Sequence, residues 1–496
     1  MTTDYDVVII GGSLAGRYAA LTATQLKAKV ALVEPSANGS LHCIKAPYEL
    51  IYYQALNEIG KLSQKLGEPG QFGLHALCSD QTKKCSISVD TPHAILYANA
   101  VVSNLQEQHS LALLAAKGVD VIVGSGQFQS SPHLAFAINH SSVLRLIRAR
   151  TYLLATSVRV KPKIEGLQET GFLTLTDIWQ SLSLPKPPQN WVIIGGIPQS
   201  IELAQILVRL GYSVTLIVDC PYLLSHVDPE IAHLLCSQLE AEGVRVLTET
   251  QITQVRLIED KKWLQAGDQA IETDEIVVAT GQQPNIESLN LAAVGVKWHQ
   301  HRLLVNDKLQ TTNHRIYACG DVIGGYNFPN IANYEARIAL QNALFFPRLK
   351  VNYHHIPWAI LTHPMLAQVG LTEAQAKRRY SHDEILVLQQ YFKTLAAAQL
   401  TNETTGICKL IVLRNGEILG ASVLGAEARE LINIIALAIA QKIQVKHLAN
   451  LSSIYPSFSE IIQQTARDWS QQTLSRNLPL QDFLESFFHF RRNWNM

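Results

Sequence analysis

Residues 5–34, YDVVIIGGSLAGRYAALTATQLKAKVALVE, set glycines, a serine and a carboxylate at a spacing suited to holding a dinucleotide. The turn reads Gly11-x-Ser13-x-x-Gly16, with Gly12 inside it, and Glu34 follows Gly11 by 23 residues. Glycines let the backbone approach a pyrophosphate, whose negative charge rests on the N-terminus of the next helix. A carboxylate ending the second strand can accept from both ribose hydroxyls. Ser13 stands where the middle glycine of such a turn falls. It is small and can itself donate to phosphate. The bland alternative is an ordinary tight strand-to-helix turn.

The pattern recurs at 190–219, NWVIIGGIPQSIELAQILVRLGYSVTLIVD, as Gly195-x-Ile197-x-x-Ser200. Ile197 falls where the backbone should meet a pyrophosphate. A β-branched side chain there predicts a misfit of about 1–3 kcal/mol, or roughly 5- to 150-fold in affinity. Ser200 is expected only to loosen helix–strand packing. Asp219 could hold the ribose of NAD, and no arginine stands nearby to favour the extra phosphate of NADP. Nicotinamide-cofactor binding and a domain that kept the fold but lost the ligand both fit this stretch. A third acidic residue, Asp321 in IYACGDV, follows a strand and Gly320. It can hold a ligand hydroxyl or simply cap the helix behind it.

The elements that must position these residues fit a chain of 496 residues, too long for one core. Each glycine turn joins a short apolar strand to an amphipathic helix, and a second short apolar strand follows the helix. From 356 onward, strand-like runs and a long helix predict a separate α+β part, with a hairpin turn at RNGE, 414–417. Lys plus Arg (41) balance Asp plus Glu (41), so no global field attracts nucleic acid. Seven cysteines (43, 78, 85, 220, 236, 319, 408) include no C-x-x-C pair and no zinc spacing, so no metal site is expected. With no apolar run of membrane-spanning length and no leader before the first strand, a reducing cytoplasm is expected.

Taken in order, the nucleotide turn, GVDVIVGSGQF, LLATS, the second βαβ unit, ATGQQPN, ACGDV, LTHPMLAQVGLTE and YPSFSE make the chain resemble the pyridine nucleotide–disulfide oxidoreductase family. The match covers roughly residues 5–470. The resemblance implies an α/β fold with two Rossmann-like domains, for FAD and for NAD(P), and a C-terminal α+β dimerisation domain. The expected boundaries are 1–158 with 271–348 for FAD, 159–270 for NAD(P), 349–470 for the homodimer interface, and 471–496 as an extension. It also implies FAD contacts from Gly11, Gly12, Ser13, Gly16, Glu34, Gly126, Gly320 and Asp321, with Gly195, Glu202, Asp219 and Gly281 serving the nicotinamide half.

The chain departs from the family where the family does its sulfur chemistry. The family's loop carries two cysteines five positions apart. Here PSANGSLHCIKAPYEL, 35–50, is shorter and has Cys43 alone. Either Cys43 matches the second cysteine and the family's lysine becomes Pro47, or Lys45 matches that lysine and neither cysteine remains. Cys43 could stack on the flavin and tune it, or be a small buried residue. The family's general-base histidine is replaced by Tyr455, a poor base at neutral pH, while Glu460 is kept. Cys43, Lys45, Tyr455 and Glu460 are therefore the candidate catalytic residues.

The expected function is transfer of electrons from NAD(P)H, with NADH favoured, through FAD to a small non-disulfide acceptor such as a quinone. Nicotinamide transhydrogenation and an FAD-bound scaffold or sensor are the alternatives. In the extension, Leu480, Phe483, Leu484, Phe487 and Phe488 recur at helical spacing, followed by Arg491, Arg492 and Trp494. That face could lie on a membrane surface or pack into a groove of its own dimer.

Overall fold

The structure is a computed structural model that describes residues 3–34, 49–67, 89–108, 110–130, 133–140, 143–299, 302–325, 327–476 and 478–494. Cys43 and Lys45 lie outside the described residues. Two compact bodies are present: Met1–Asp219 with Glu242–Val351, and Cys220–Ala241 with Asn352–Met496.

The first body holds two parallel sheets. In one, strands Ile316–Ala318, Ala149–Leu154, Tyr5–Ile10, Val30–Glu34 and Asp120–Val123 lie side by side in that order, all parallel. Both faces of such a sheet are covered, which is why VVII and VALV are continuous apolar runs, not alternating ones. Helix Leu14–Gln25 turns Ala15, Ala19, Ala20 and Ala23 inward, all buried, and their small size brings it close to the sheet. Helix Pro329–Leu344 buries Ala336, Ile338, Ala339 and Leu340 in the same core.

In the second sheet the order is Arg245–Leu247, Ser213–Ile217, Asn190–Ile194 and Glu275–Val278, again parallel. The fourth strand corrects an expected boundary. The expected boundary places residues 271–278 with the FAD part, but Val277 pairs with Ile193, so the chain leaves the second sheet only after Val278. An antiparallel sheet of Ile252–Ile258, Lys261–Ala266 and Gln269–Thr273 makes the crossover from Arg245–Leu247 to Glu275–Val278.

The second body is built on a five-stranded antiparallel sheet ordered Trp358–Ile360, Met365–Gly370, Ile418–Gly425, Ile407–Leu413, Ile385–Tyr391. The expected hairpin at 414–417 is present. Leu413 N–H donates to Glu417 O at 2.8 Å, and Gly416 takes the left-handed conformation (φ 90°) that the turn requires. Helices Ala428–Ala440 and Glu460–Arg476 fill the core behind this sheet. The latter runs to Arg476, so the extension proper is the separate helix Leu478–Asn493 and not 471–496.

A second correction to the expected boundaries concerns Cys220–Ala241, read as part of the nicotinamide domain but compact with the second body. Its anchor is Lys409, on the central region of the antiparallel sheet and 2% exposed in its side chain. Its ammonium meets Asp228 at 3.3 Å, Glu230 at 2.5 Å and Glu373 at 2.6 Å. Burial depresses the Lys409 ammonium, but the Glu230 and Glu373 carboxylates more than offset that and hold it above the usual lysine range. Burial pushes the Asp228 carboxyl up, and Lys409 opposes the rise. Replacing Lys409→Met leaves these carboxylates uncompensated and is expected to cost about 3–5 kcal/mol. A fall in the urea midpoint, followed by tryptophan fluorescence, measures this; an unchanged midpoint refutes the role given to the cluster.

Candidate functional site

At the end of strand Tyr5–Ile10 the chain turns through Gly11 in a conformation closed to other residues (φ 109°). A Cβ at Gly11 would lie 2.5 Å from Ala155 O. One at Gly16 would fall onto Gly11 O, and one at Gly12 would fall inside the Glu34 carboxylate. The glycines therefore let strand end, helix start and carboxylate share one small volume. Ser13 caps the helix: its hydroxyl oxygen accepts from Gly16 N–H at 3.3 Å, leaving its own hydrogen to be donated outward.

Glu34, at the end of the neighbouring strand, is 8% exposed. Its Oε1 is 3.6 Å from Arg17 Nη2, and its Oε2 has no hydrogen-bond partner. Burial pushes this carboxyl up from its ordinary range, and the Arg17 guanidinium pulls it back. Thr156, just past strand Ala149–Leu154 and beside Gly11, also has a buried hydroxyl without a partner. Two buried polar atoms left without partners next to a glycine cradle are what a dinucleotide would satisfy. The residues present fit FAD.

Asp321 is the second residue of a short 3-10 turn, Gly320–Ile323, which follows strand Ile316–Ala318 after Cys319. Gly320 is left-handed (φ 73°), and its N–H donates to Glu335 Oε2 at 2.7 Å. Burial pushes the Asp321 carboxyl up. Gly11, Glu34 and Asp321 thus leave the same, C-terminal, edge of one parallel sheet, the edge at which such sheets bind ligands. Sequence reasoning missed Glu335. The available signal was a lone acidic residue on the buried face of helix Pro329–Leu344. Gly126 has a packing reason for being glycine. It pairs with Ile138 in an antiparallel sheet, and a Cβ would lie 2.5 Å from the Phe136 ring.

The second turn is built alike. Gly195 has φ 118°, with Thr280 Cγ2 2.5 Å from where its Cβ would be. Ile197 occupies the helix N-cap and makes no side-chain cap. Pro198, the first helical residue, has no N–H to offer an anion. Ser200 departs from expectation. It is fully buried, and its hydroxyl lies 2.5 Å from Gly195 O and 2.7 Å from Ile197 O, so it ties the turn together instead of loosening it. Glu202 is buried on the same helix, and Asp219 is exposed past the end of the next strand. Gly281 (φ 71°) accepts from Lys161 N–H at 2.9 Å where the chain leaves this sheet.

Tyr455 and Glu460 belong to the second body. Tyr455 is 75% exposed. Glu460 Oε1 accepts from Ser457 N–H at 2.8 Å, capping its own helix. Burial pushes the Cys236 thiol to about 11 and that of Cys408 to about 12, and Cys319 is raised too, so none of these three supplies a thiolate at neutral pH. Among the described residues no group of three or more His, Cys, Asp or Glu is placed to hold a metal ion.

A glycine turn, a ribose-spaced glutamate and a strand-end aspartate on one sheet, beside a second βαβ unit, define a dinucleotide-binding flavoprotein. The family model for pyridine nucleotide-disulphide oxidoreductases matches residues 5–343, and the model for their dimerisation domain matches 356–466. The chain belongs to this family, which is FAD-dependent, uses NAD(P)H and homodimerises through that domain. It is 30% identical to mercuric reductase from Staphylococcus aureus over 92% of this chain and 81% of the relative. It is also 30% identical to dihydrolipoyl dehydrogenase from Synechocystis sp., over 92% of this chain and 97% of that one. Among solved structures, HOCl-induced flavoprotein disulfide reductase RclA from Escherichia coli is similar, at TM-score 0.77 and 25% identity over 93% of this chain and 99% of that one. LpdA from Mycobacterium tuberculosis shares the fold, at TM-score 0.80 and 22% identity over 93% and 99%.

Replacing Ile197→Gly is expected to tighten NADH binding roughly 5- to 150-fold if that side chain obstructs the turn. Titrating NADH against flavin fluorescence decides it, and unchanged or weaker affinity overturns the account.

Proposed function

We propose that this chain is an FAD oxidoreductase that takes hydride from NADH and passes the electrons from flavin to a non-disulfide acceptor, a quinone or similar small molecule. One observation carries this reading: the stretch from Glu34 to Gly67 contains a single cysteine, Cys43, so this loop has no second sulfur to pair with it. The tyrosine at 455 supports it, since a thiol relay also needs a base near neutral pH. In this reading Gly11, Gly12, Ser13, Gly16 and Glu34 hold the adenosine diphosphate half of FAD. Asp321, steadied by the Glu335 bond to Gly320, holds the ribityl chain. Asp219 takes the ribose of NADH, and Glu202 stands where nicotinamide meets flavin. FAD supplies the redox chemistry by accepting hydride and releasing two electrons. The acceptor would take those two electrons with two protons, one that arrived within the hydride and one from solvent, so that NADH, one proton and a quinone give NAD+ and the quinol.

Anaerobic titration with NADH tests the proposal. Full bleaching near 450 nm with about one NADH per flavin is expected, because a redox-active disulfide would absorb a second equivalent. Uptake of two equivalents, or robust turnover of glutathione disulfide or lipoamide, overturns it. Bleaching by neither NADH nor NADPH points to a flavin-bound scaffold, and rapid hydride exchange between the two nucleotides to a transhydrogenase.

The quinone reading gives the extension a use. Phe483, Phe487, Phe488 and Phe490 are exposed on helix Leu478–Asn493, with Arg491 and Arg492 in its last turn and exposed Trp494 directly after it. No helix among the described residues is long and apolar enough to cross a membrane, and the contact read here is a peripheral one through the aromatic face of this helix. Co-sedimentation with liposomes is expected for the full chain and to be lost in a chain ending at Ser475. Equal sedimentation of the two ends the membrane part of the reading.

A further inference from the structure

Arg17 is an unusual residue for its place. It sits in the first turn of helix Leu14–Gln25, where the helix dipole disfavours a cation, and it is 9% exposed. A guanidinium does not shed its proton on burial, so it needs an anion and acceptors. Its Nε donates to Gly12 O at 2.9 Å, which fixes the side chain over the glycine turn, and its Nη2 faces Glu34 Oε1 at 3.6 Å. The other oxygen of Glu34 remains without a hydrogen-bond partner and lies against Gly12.

A buried carboxylate that accepts from two ribose hydroxyls must be ionised, and burial works against that. The ionisable groups on the flanking elements do not supply the missing charge. Asp120, on the adjacent strand, pairs with Ala31 at the other end of Val30–Glu34 and is engaged by Tyr5 and Arg145. Asp6, on the strand at the other side, accepts from Lys29 N–H. Among the described residues the charge acting on the Glu34 carboxyl is that of Arg17.

We propose that Arg17 is a positioning residue for the flavin cofactor: clamped by Gly12 O, it is the counter-ion that keeps Glu34 an ionised acceptor for the adenosine ribose. The inference rests on the reading of Glu34 as the ribose ligand. Its consequence is a pH dependence that a purely structural arginine would not confer. With Arg17 in place, the rise that burial imposes on the Glu34 carboxyl is opposed. Without it, Glu34 protonates at higher pH, and as pH falls the site loses an acceptor.

The test is the rate of FAD release from diluted holoenzyme, read as the rise in free-flavin fluorescence between pH 8.5 and 6. The wild type is expected to be nearly flat. Arg17→Met is expected to release FAD about 10- to 100-fold faster at pH 6 and to approach the wild-type rate at pH 8.5. Arg17→Lys restores the flat profile, and Arg17→Gln repeats the Met result should the Met variant fold poorly. In a Glu34→Gln background, Arg17→Met adds no pH dependence. A uniform acceleration at every pH, no acceleration, or a pH profile that persists without Glu34 overturns the proposal. If Glu34→Gln alone releases FAD no faster than wild type, the failure lies in the ribose reading itself.

Discussion

The constraint on which the rest depends is the closeness of three backbones at Gly11. The end of the first strand, the start of the first helix and the chain leaving the Ala149–Leu154 strand meet where Gly11 and Gly16 have no side chains, with Ala155 O and Gly11 O filling the places of the absent Cβ atoms. That closeness puts helix N–H groups, Glu34 and Thr156 around one small volume. It also explains the alanine face of the first helix, since larger residues would hold the helix off the sheet and open the turn. Asp321 comes to the same sheet edge because its strand runs parallel to the others, and Glu335 fixes the turn that carries it.

The second turn shows what happens when the same frame keeps its backbone and changes its chemistry. Gly195 retains its positive φ, and Ser200 closes the turn with its hydroxyl, so the architecture stands. Ile197 and Pro198 alter only what faces outward: a branched side chain is added and an N–H is removed. The fold of a nucleotide domain and its affinity for a nucleotide are carried by different atoms, so one can drift while the other holds.

The first βαβ unit was legible in the sequence because buried parallel strands are apolar throughout and the glycine spacing is local. The fourth strand of the second sheet was not, since EIVV reads equally well as belonging to either sheet. Only its distant pairing with Asn190–Ile194 decides it. Ser200 misled for a related reason. A serine in place of a glycine looks like lost packing, and only the three-dimensional turn shows two carbonyls waiting for its hydroxyl. Gly126 belongs to a motif associated with the cofactor, yet the Phe136 ring explains it. Glu335 was easy to pass over, as one acid in a helix reads as a solvent-facing residue unless its place on the buried face is noticed. Lys409 was hidden in the same way: a lysine inside a strand suggests an edge, and its three anions come from 36 to 181 positions away in the chain.

The placement of Cys220–Ala241 bears on the order of biosynthesis. This segment emerges from the ribosome between two strands of the first body, yet its compact partners lie beyond Asn352. Asp228 must stay hydrated, or borrow a temporary neighbour, until the strand bearing Lys409 has been made. The N-terminal body can assemble its first glycine turn early, but the hairpin-rich C-terminal body is completed only by reaching back for a piece of chain already translated. A nascent chain halted before residue 409 therefore carries Asp228 and Glu230 still facing water, their ammonium partner not yet made.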